Sequence, residues 1–296
     1  MTATPRTPTV KTRRLPRTRR LKGMPKRGQT PRRQMPDDAE YRDHLAAEYN
    51  SLTHENYLKW EFIQPEQGEY DFEAADAVVT FAQEHGMDMR GHALFWHSQN
   101  PEWLEEGDFS EEELREILED HVRTVVSRYS GCIQQWDVAN EIFDDDEDAS
   151  IRDGEDGNIW IRELGEEVLD DIFLWAHEED PEALLFYNDY NVDGLNAKAD
   201  AYYELIEDQL ERDIPVHGFG AQTHLSMEYG FDDSYQENLE RFADLGLHKR
   251  GEDGEFERKP TYCAIQRSLV DAAEGEGAFD GDEDLTVCQD ILAEVE

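Results

Sequence analysis

Lysine is nearly absent from most of this 296-residue chain, cysteine is scarce, and no long apolar run occurs. Only Lys59, Lys198, Lys249 and Lys259 fall after residue 36. The first 36 residues hold twelve basic side chains and no acid, so residues 37–296 carry 16 basic against 71 acidic groups, a formal charge of −55. Such a surface repels a phosphate backbone, which argues against nucleic acid as a partner of the folded part. Cys132, Cys263 and Cys288 are odd in number, far apart, and without C-x-x-C spacing or a histidine cluster nearby. A disulfide framework or zinc site is therefore not expected, and all three read as buried thiols. No metal or cofactor is implied. The longest apolar runs fall short of the roughly 18 residues that a membrane span needs.

What is present describes two different objects. Residues 1–36 are Pro, Thr, Arg and Lys with hardly an apolar side chain, too little to offset ordering entropy, and read as a basic disordered arm. Arg13-Arg14 and Arg19-Arg20 are reminiscent of a twin-arginine export signal, but no apolar segment follows them. A disordered arm or a misassigned start codon explains them better. The remaining 260 residues keep Trp, Phe, Tyr, Ile and Leu throughout, which indicates a globular body of about one large domain. An acidic surface with almost no lysine suits a protein soluble in concentrated salt, where the Debye length falls to about 3 Å near 1 M. A halophilic, monomeric protein is expected.

From residue 37 short apolar runs alternate with amphipathic stretches, a β/α rhythm. Helices are predicted at 38–49, 72–85, 110–127, 160–178, 198–213 and 235–245. Gly86 stops the second, a Ser110/Glu113 capping box opens the third, and Leu174 and Trp175 are assigned to the apolar stripe of the fourth. Between them lie five predicted strands: 50–56, 87–96, 133–141, 183–190 and 217–225. Each strand ends in polar and aromatic residues, and in a parallel α/β fold those ends share one face, where a (β/α)8 TIM barrel places its active site. A closed barrel needs eight strands, so the reading is an incomplete barrel.

Trp136-Asp137-Val138-Ala139-Asn140-Glu141 is a strand that ends in an amide and an acid. Burial and neighbouring acids raise a glutamic acid's pKa, which would suit proton donation to a glycosidic oxygen; a solvated strand end is the plainer alternative. The other strand ends repeat the theme with Glu55, Asn56 and Lys59, with His92, Trp96 and His97, with Asn188, Asp189 and Tyr190, and with Gln222 and His224. Aromatic rings stack on pyranose faces, and hydroxyl groups need donors and acceptors together.

On these residues the chain resembles a known family. Asn50–Trp60, Arg90–Trp103, Trp136–Glu141, Asn188–Asn191 and Gly218–Leu225 are similar, in order and spacing, to glycoside hydrolase family 10 endo-β-1,4-xylanases over about residues 37–247. The resemblance implies a (β/α)8 barrel, xylan and xylo-oligosaccharides as partners, and retaining hydrolysis through a covalent glycosyl-enzyme, with no cofactor. It implies Glu141 as acid/base and Asn140 on the 2-hydroxyl side of the reacting sugar. Glu55, Asn56, Lys59, His92, Trp96 and Gln222 would line the glycone subsites, His224 would stand beside the nucleophile, and Tyr190 would contact substrate. Such an enzyme is expected outside the cell, although no complete signal peptide is visible.

The departures from the family are specific. The Arg-rich segment occupies the place of the family's opening Phe-Gly-x-Ala strand. After Leu247 neither the Ile-Thr-Glu-Leu-Asp strand that carries the nucleophile nor the later Trp-Gly strand occurs, and the chain goes directly to Lys259-Pro260-Thr261-Tyr262, which resembles the entry to the family's last helix. Strands one, seven and eight are the expected omissions. Glu228, Glu252 and Asp253 stand on no strand pattern that would hold a carboxylate about 5 Å from Glu141, the separation retention requires. The nucleophile is therefore unassigned. The expected organisation is an arm at 1–36, a family 10-like domain at 37–273 interrupted near 247, and an acidic tail at 274–296. An internally deleted xylanase and a non-catalytic xylan-binding remnant both fit, and an unstable pseudogene product is a third reading.

Overall fold

A computed structural model describes residues 39–154, 157–224 and 234–247. Contacts divide the chain into one unit ending at Leu247 and a second from His248; the second, like the basic arm, the acidic tail, Cys263, Cys288, Glu228, Glu252 and Asp253, lies outside the described residues.

Five strands form one parallel sheet in the order β1 (Ser51–Thr53), β2 (Asp88–Phe95), β3 (Gln135–Asn140), β4 (Leu184–Asp189), β5 (Gly218–Ala221). Each neighbour follows the last in sequence with a helical crossover between them, which is the arrangement of a (β/α)8 barrel wall. The described residues thus form an incomplete TIM barrel of five strands. Beyond their first residues β3 and β4 are buried throughout, because helices cover one face and barrel-interior side chains the other. Gly91 on β2 is needed for that closeness: a Cβ there would stand 2.2 Å from the Trp136 ring of β3.

The crossovers contain α2 (Trp60–Ile63), α3 (Glu73–His85), α4 (Glu102–Glu105), α5 (Glu111–Tyr129), α6 (Ile159–Leu164), α7 (Val168–Glu179) and α8 (Ala197–Glu211); α1 (Ala39–Glu48) precedes the sheet and α9 (Tyr235–Asp244) follows it. In α5, Ser110 and Glu113 complete a reciprocal capping box and three acids occupy the first turn, where the helix dipole favours negative charge. Its stripe of Leu114, Leu118, Val122, Val125, Val126 and Tyr129 is buried, and the helix packs beside α6 and α7. Gly86 caps α3 in the left-handed region at φ 70°, a conformation that costs glycine least.

Three expectations need correction. The predicted helix over 160–178 is two helices, because Gly165 takes φ 78° and ψ 172° and ends α6. Leu174 is exposed while Trp175 is buried, since the restart at Val168 places Val168, Leu169, Ile172, Phe173 and Ala176 on the inner face instead. The predicted strand over 217–225 also shortens to Gly218–Ala221, where Gln222 and His224 leave the sheet. Cys132 is a buried thiol, as expected. No helix among the described residues is long and apolar enough to cross a membrane.

The core contains a buried ring stack with Trp60 at its centre, His121 at 3.6 Å and Trp160 at 4.8 Å between centroids. Both nitrogens of His121 lack a partner among the described residues. Burial lowers its pKa from 6.5 to about 3. Between those values the unfolded chain binds a proton that the folded one does not, so stability from this group is complete above pH 6.5 and declines as pH falls toward 3. At fixed high salt, His121→Phe is expected to keep the stack and to raise the melting temperature relative to the parent more at pH 5 than at pH 7.5, on the order of a few degrees. Equal differences at both pH values would contradict this.

Candidate active site

Because the strands are parallel, their carboxyl ends emerge on one edge and deliver polar side chains from five successive turns to one place. Glu141 is at the centre. Its Oε2 accepts a hydrogen bond from Trp96 Nε1 (2.8 Å) and its Oε1 accepts one from Gln222 Nε2 (2.8 Å). Thus the residues following β2 and β5 both bind the acid that follows β3.

The network extends outward from those two donors. Lys59 Nζ lies 4.7 Å from the centre of the Trp96 ring, and donates to Asn56 Oδ1 (2.9 Å) and Gln99 Oε1 (2.6 Å). Burial lowers its pKa from the usual lysine value, opposed by the charges of Glu141, Glu55 and Glu61. Gln222 Oε1 is 2.9 Å from His224 Nε2. The register pairs Asn140 with Asn188, and Asn188 Nδ2 donates to Asn140 Oδ1 at 2.8 Å. Asn140 is fully buried, and its own Nδ2 has no partner among the described residues.

His92 is fixed from beneath. Asp137 on β3 is buried; burial alone would raise its pKa, but Arg90 and His92 outweigh that and hold it below the ordinary aspartate range. The resulting carboxylate can only accept, so His92 Nδ1 carries the proton shared with Asp137 Oδ2 at 2.9 Å. Nε2 of His92 is then an acceptor in the neutral ring. Arg90 Nε donates to the same aspartate at 2.9 Å and its guanidinium stacks on Phe186.

A second cluster lies where β4 ends. Tyr190 Oη donates to Asp145 Oδ2 (2.5 Å), and Lys198 Nζ donates to Asp145 Oδ1 (3.0 Å) and Asp189 Oδ1 (2.9 Å). Burial, with the Asp145 charge added, pushes the Tyr190 phenol up to about 12; burial also raises Asp189 to about 6 against its bonds to Tyr202 and Lys198. Arg152 joins the clusters, donating from Nε to the Glu141 carbonyl (3.0 Å) and from Nη2 to Tyr190 Oη (3.3 Å). Among the described residues no group of three or more His, Cys, Asp or Glu gathers as a metal site.

The model of glycosyl hydrolase family 10 matches residues 22–250. The chain belongs to glycosyl hydrolase family 10. It is 42% identical over 213 residues to endo-1,4-beta-xylanase B of Thermotoga neapolitana, covering 72% of this chain and 60% of that protein. Among solved structures, native xylanase 10B of Thermotoga maritima superposes with a TM-score of 0.69 at 36% identity, over 79% of this chain and 72% of that one. Xylanase 10B of Thermotoga petrophila, solved in complex with xylobiose, matches with the same figures. The chain spans about 60% of the length of the curated relatives it matches.

Of the site residues expected in this family 10 chain, Asn56, Lys59, Trp96, Asn140, Glu141, Gln222 and His224 share one hydrogen-bonded or ring-contacting network. His92 neighbours Trp96, with ring centres 6.4 Å apart, and Tyr190 joins through Arg152. Glu55 is exposed and adds its charge near Lys59. Sequence reasoning passed over Gln99, Asp137 with Arg90, and Arg152. A usable signal existed for the arginines: in a body with so few cations, each is a candidate partner for a buried acid.

Asp137→Asn leaves the Arg90 guanidinium beside a neutral amide and removes the group that fixes His92. Breaking such a buried pair is expected to destabilise the fold by about 3 kcal/mol, read from the shift in denaturant midpoint at unchanged slope.

Proposed function

We propose that this chain is a xylan-directed glycoside hydrolase module in which Glu141 is the proton donor and the ends of β1 to β5 bind the glycone side of β-1,4-linked xylose chains. One observation carries the reading: both oxygens of Glu141 are engaged by neutral N–H donors from two other strand ends, Trp96 and Gln222, with an ammonium, Lys59, over the Trp96 ring. Asn56, Lys59, His92, Trp96, Asn140 and Gln222 supply the donors, acceptors and aromatic face that a sugar needs; Tyr190, His224 and Glu55 border them. The names of the relatives, endo-1,4-beta-xylanases, support xylan as the substrate.

In hydrolysis with retention, Glu141 would protonate the leaving oxygen while a carboxylate about 5 Å away attacks the anomeric carbon, then take a proton from the water that releases the sugar. The sequence departures leave that second carboxylate unassigned, which supports a second reading, a non-catalytic module that binds xylo-oligosaccharides. Strands one, seven and eight would be the omitted ones, the body would extend over 37–273 between a basic arm and an acidic tail, and the charge of −55 on residues 37–296 would keep copies apart and favour a salt-requiring monomer.

Calorimetry with xylotriose in about 2–3 M KCl, where the Debye length is a few ångströms or less, should give saturable heat, weakened about tenfold or more, or about 1.4 kcal/mol, in Trp96→Ala. Absence of heat in a folded sample would overturn both readings. Release of reducing sugar would select the enzyme, and Glu141→Gln should then lower it by about 100-fold or more. No release selects the binding module.

The salt requirement has its own measurement. A cooperative far-UV circular dichroism melt is expected in molar KCl and not in dilute buffer, because screening of like charges is lost there; identical melts would refute it.

A further inference from the structure

We propose that Arg152 is the positioning residue that holds Glu141 in register with Trp96 and Gln222, an assignment that rests on the reading of Glu141 as proton donor. Glu141 has φ 55°, the left-handed region, which a residue with a side chain keeps only where its surroundings over-determine it. Two bonds do so here. Its N–H donates to the Asn188 carbonyl of β4 (2.9 Å), and its own carbonyl accepts from Arg152 Nε (3.0 Å). The next peptide is held in the same way: Ile142 N–H donates to Tyr202 Oη (3.1 Å), and the Ile142 carbonyl accepts from the Arg152 N–H (2.9 Å). Arg152 therefore grips two successive carbonyls, one with its side chain and one with its main chain.

The fold explains how a residue eleven positions along the chain returns to do this. The segment after β3 doubles back through an antiparallel bridge between Phe143 and Ile151 and a bond from Asp144 N–H to the Ser150 carbonyl (2.8 Å). The guanidinium is itself oriented, by Asp144 at 2.5 Å and by Tyr190 Oη at 3.3 Å, and its side chain is only 13% exposed. If Arg152 served only to pair with Asp144, a lysine would replace it. If the Nε bond to Glu141 is what matters, lysine cannot, because it lacks the planar fork that bonds a carbonyl and a carboxylate together.

The test uses the full chain, nitrogen-15 labelled, in molar KCl. Its six tryptophans give six indole N–H signals, and Trp96→Phe identifies the one bonded to Glu141. In Arg152→Lys and Arg152→Met the Trp96 indole proton is expected to move and to exchange with water about tenfold faster, equivalent to about 1.4 kcal/mol in its opening equilibrium. The indoles of Trp136 and Trp160, buried in the core, should stay in place, which separates a local effect from general loosening. Asp144→Asn, which keeps the Nε bond, should disturb Trp96 less than Arg152→Lys does and serves if Arg152→Met does not fold. An unmoved Trp96 in folded Arg152→Lys, a disturbance shared by the core indoles, or an equal effect from Asp144→Asn would overturn the assignment. Xylotriose calorimetry on the same samples reads the sugar-binding proposal separately: binding with an unmoved Trp96 overturns only the role of Arg152, whereas a parent without binding overturns the sugar reading and leaves the coupling as measured.

Discussion

The parallel pairing of β2, β3 and β4 is the constraint on which the rest of the molecule depends. Beyond their first residues β3 and β4 are buried, and such strands carry polar side chains where a neighbouring strand can partner them. Asn140 and Asn188 meet because the register sets them side by side, and Asp137 is tolerated on the interior because Arg90 and His92 reach it from β2. The groups around Glu141 stand at the ends of the strands of this sheet, from β1 to β5, or in the loops that leave them.

Charge imposes a second order on the structure. In so acidic a body the cations that are present go to acids, as in the pairs of Arg128 with Asp76, Arg212 with Asp170 and Lys198 with Asp189. Lys59 differs. Its hydrogen bonds go to the amide oxygens of Asn56 and Gln99, and among the described residues no carboxylate contacts it closely enough to cancel its charge. An ammonium kept free of an ion pair beside an aromatic ring is suited to binding hydroxyl groups, for which it is donor only.

Much of the fold was legible because the helices announce themselves in local chemistry. The Ser110/Glu113 box, the Gly86 stop and the spacing of buried residues in α5 are properties of short segments, and the structure realises each. The break between α6 and α7 was less legible, since Gly165 can either continue a helix at a cost or end it, and packing made the choice. Leu174 followed from that choice, because moving the helix start rotates the buried face.

The sequence by itself determined the succession of β/α units, the placement of Asn56, Lys59, His92, Trp96, Asn140, Glu141 and Gln222 at strand ends, and membership of family 10, because these depend on residue type and spacing. Tertiary structure alone decided which of those residues touch. The bonds of Glu141 to Trp96 and Gln222 span 45 and 81 positions, and the grip of Arg152 on Glu141 depends on a loop folding back in a left-handed turn. No local periodicity encodes such contacts; they exist because parallel strands bring distant ends of the chain to one edge, where a few ångströms separate a hydrogen bond from none.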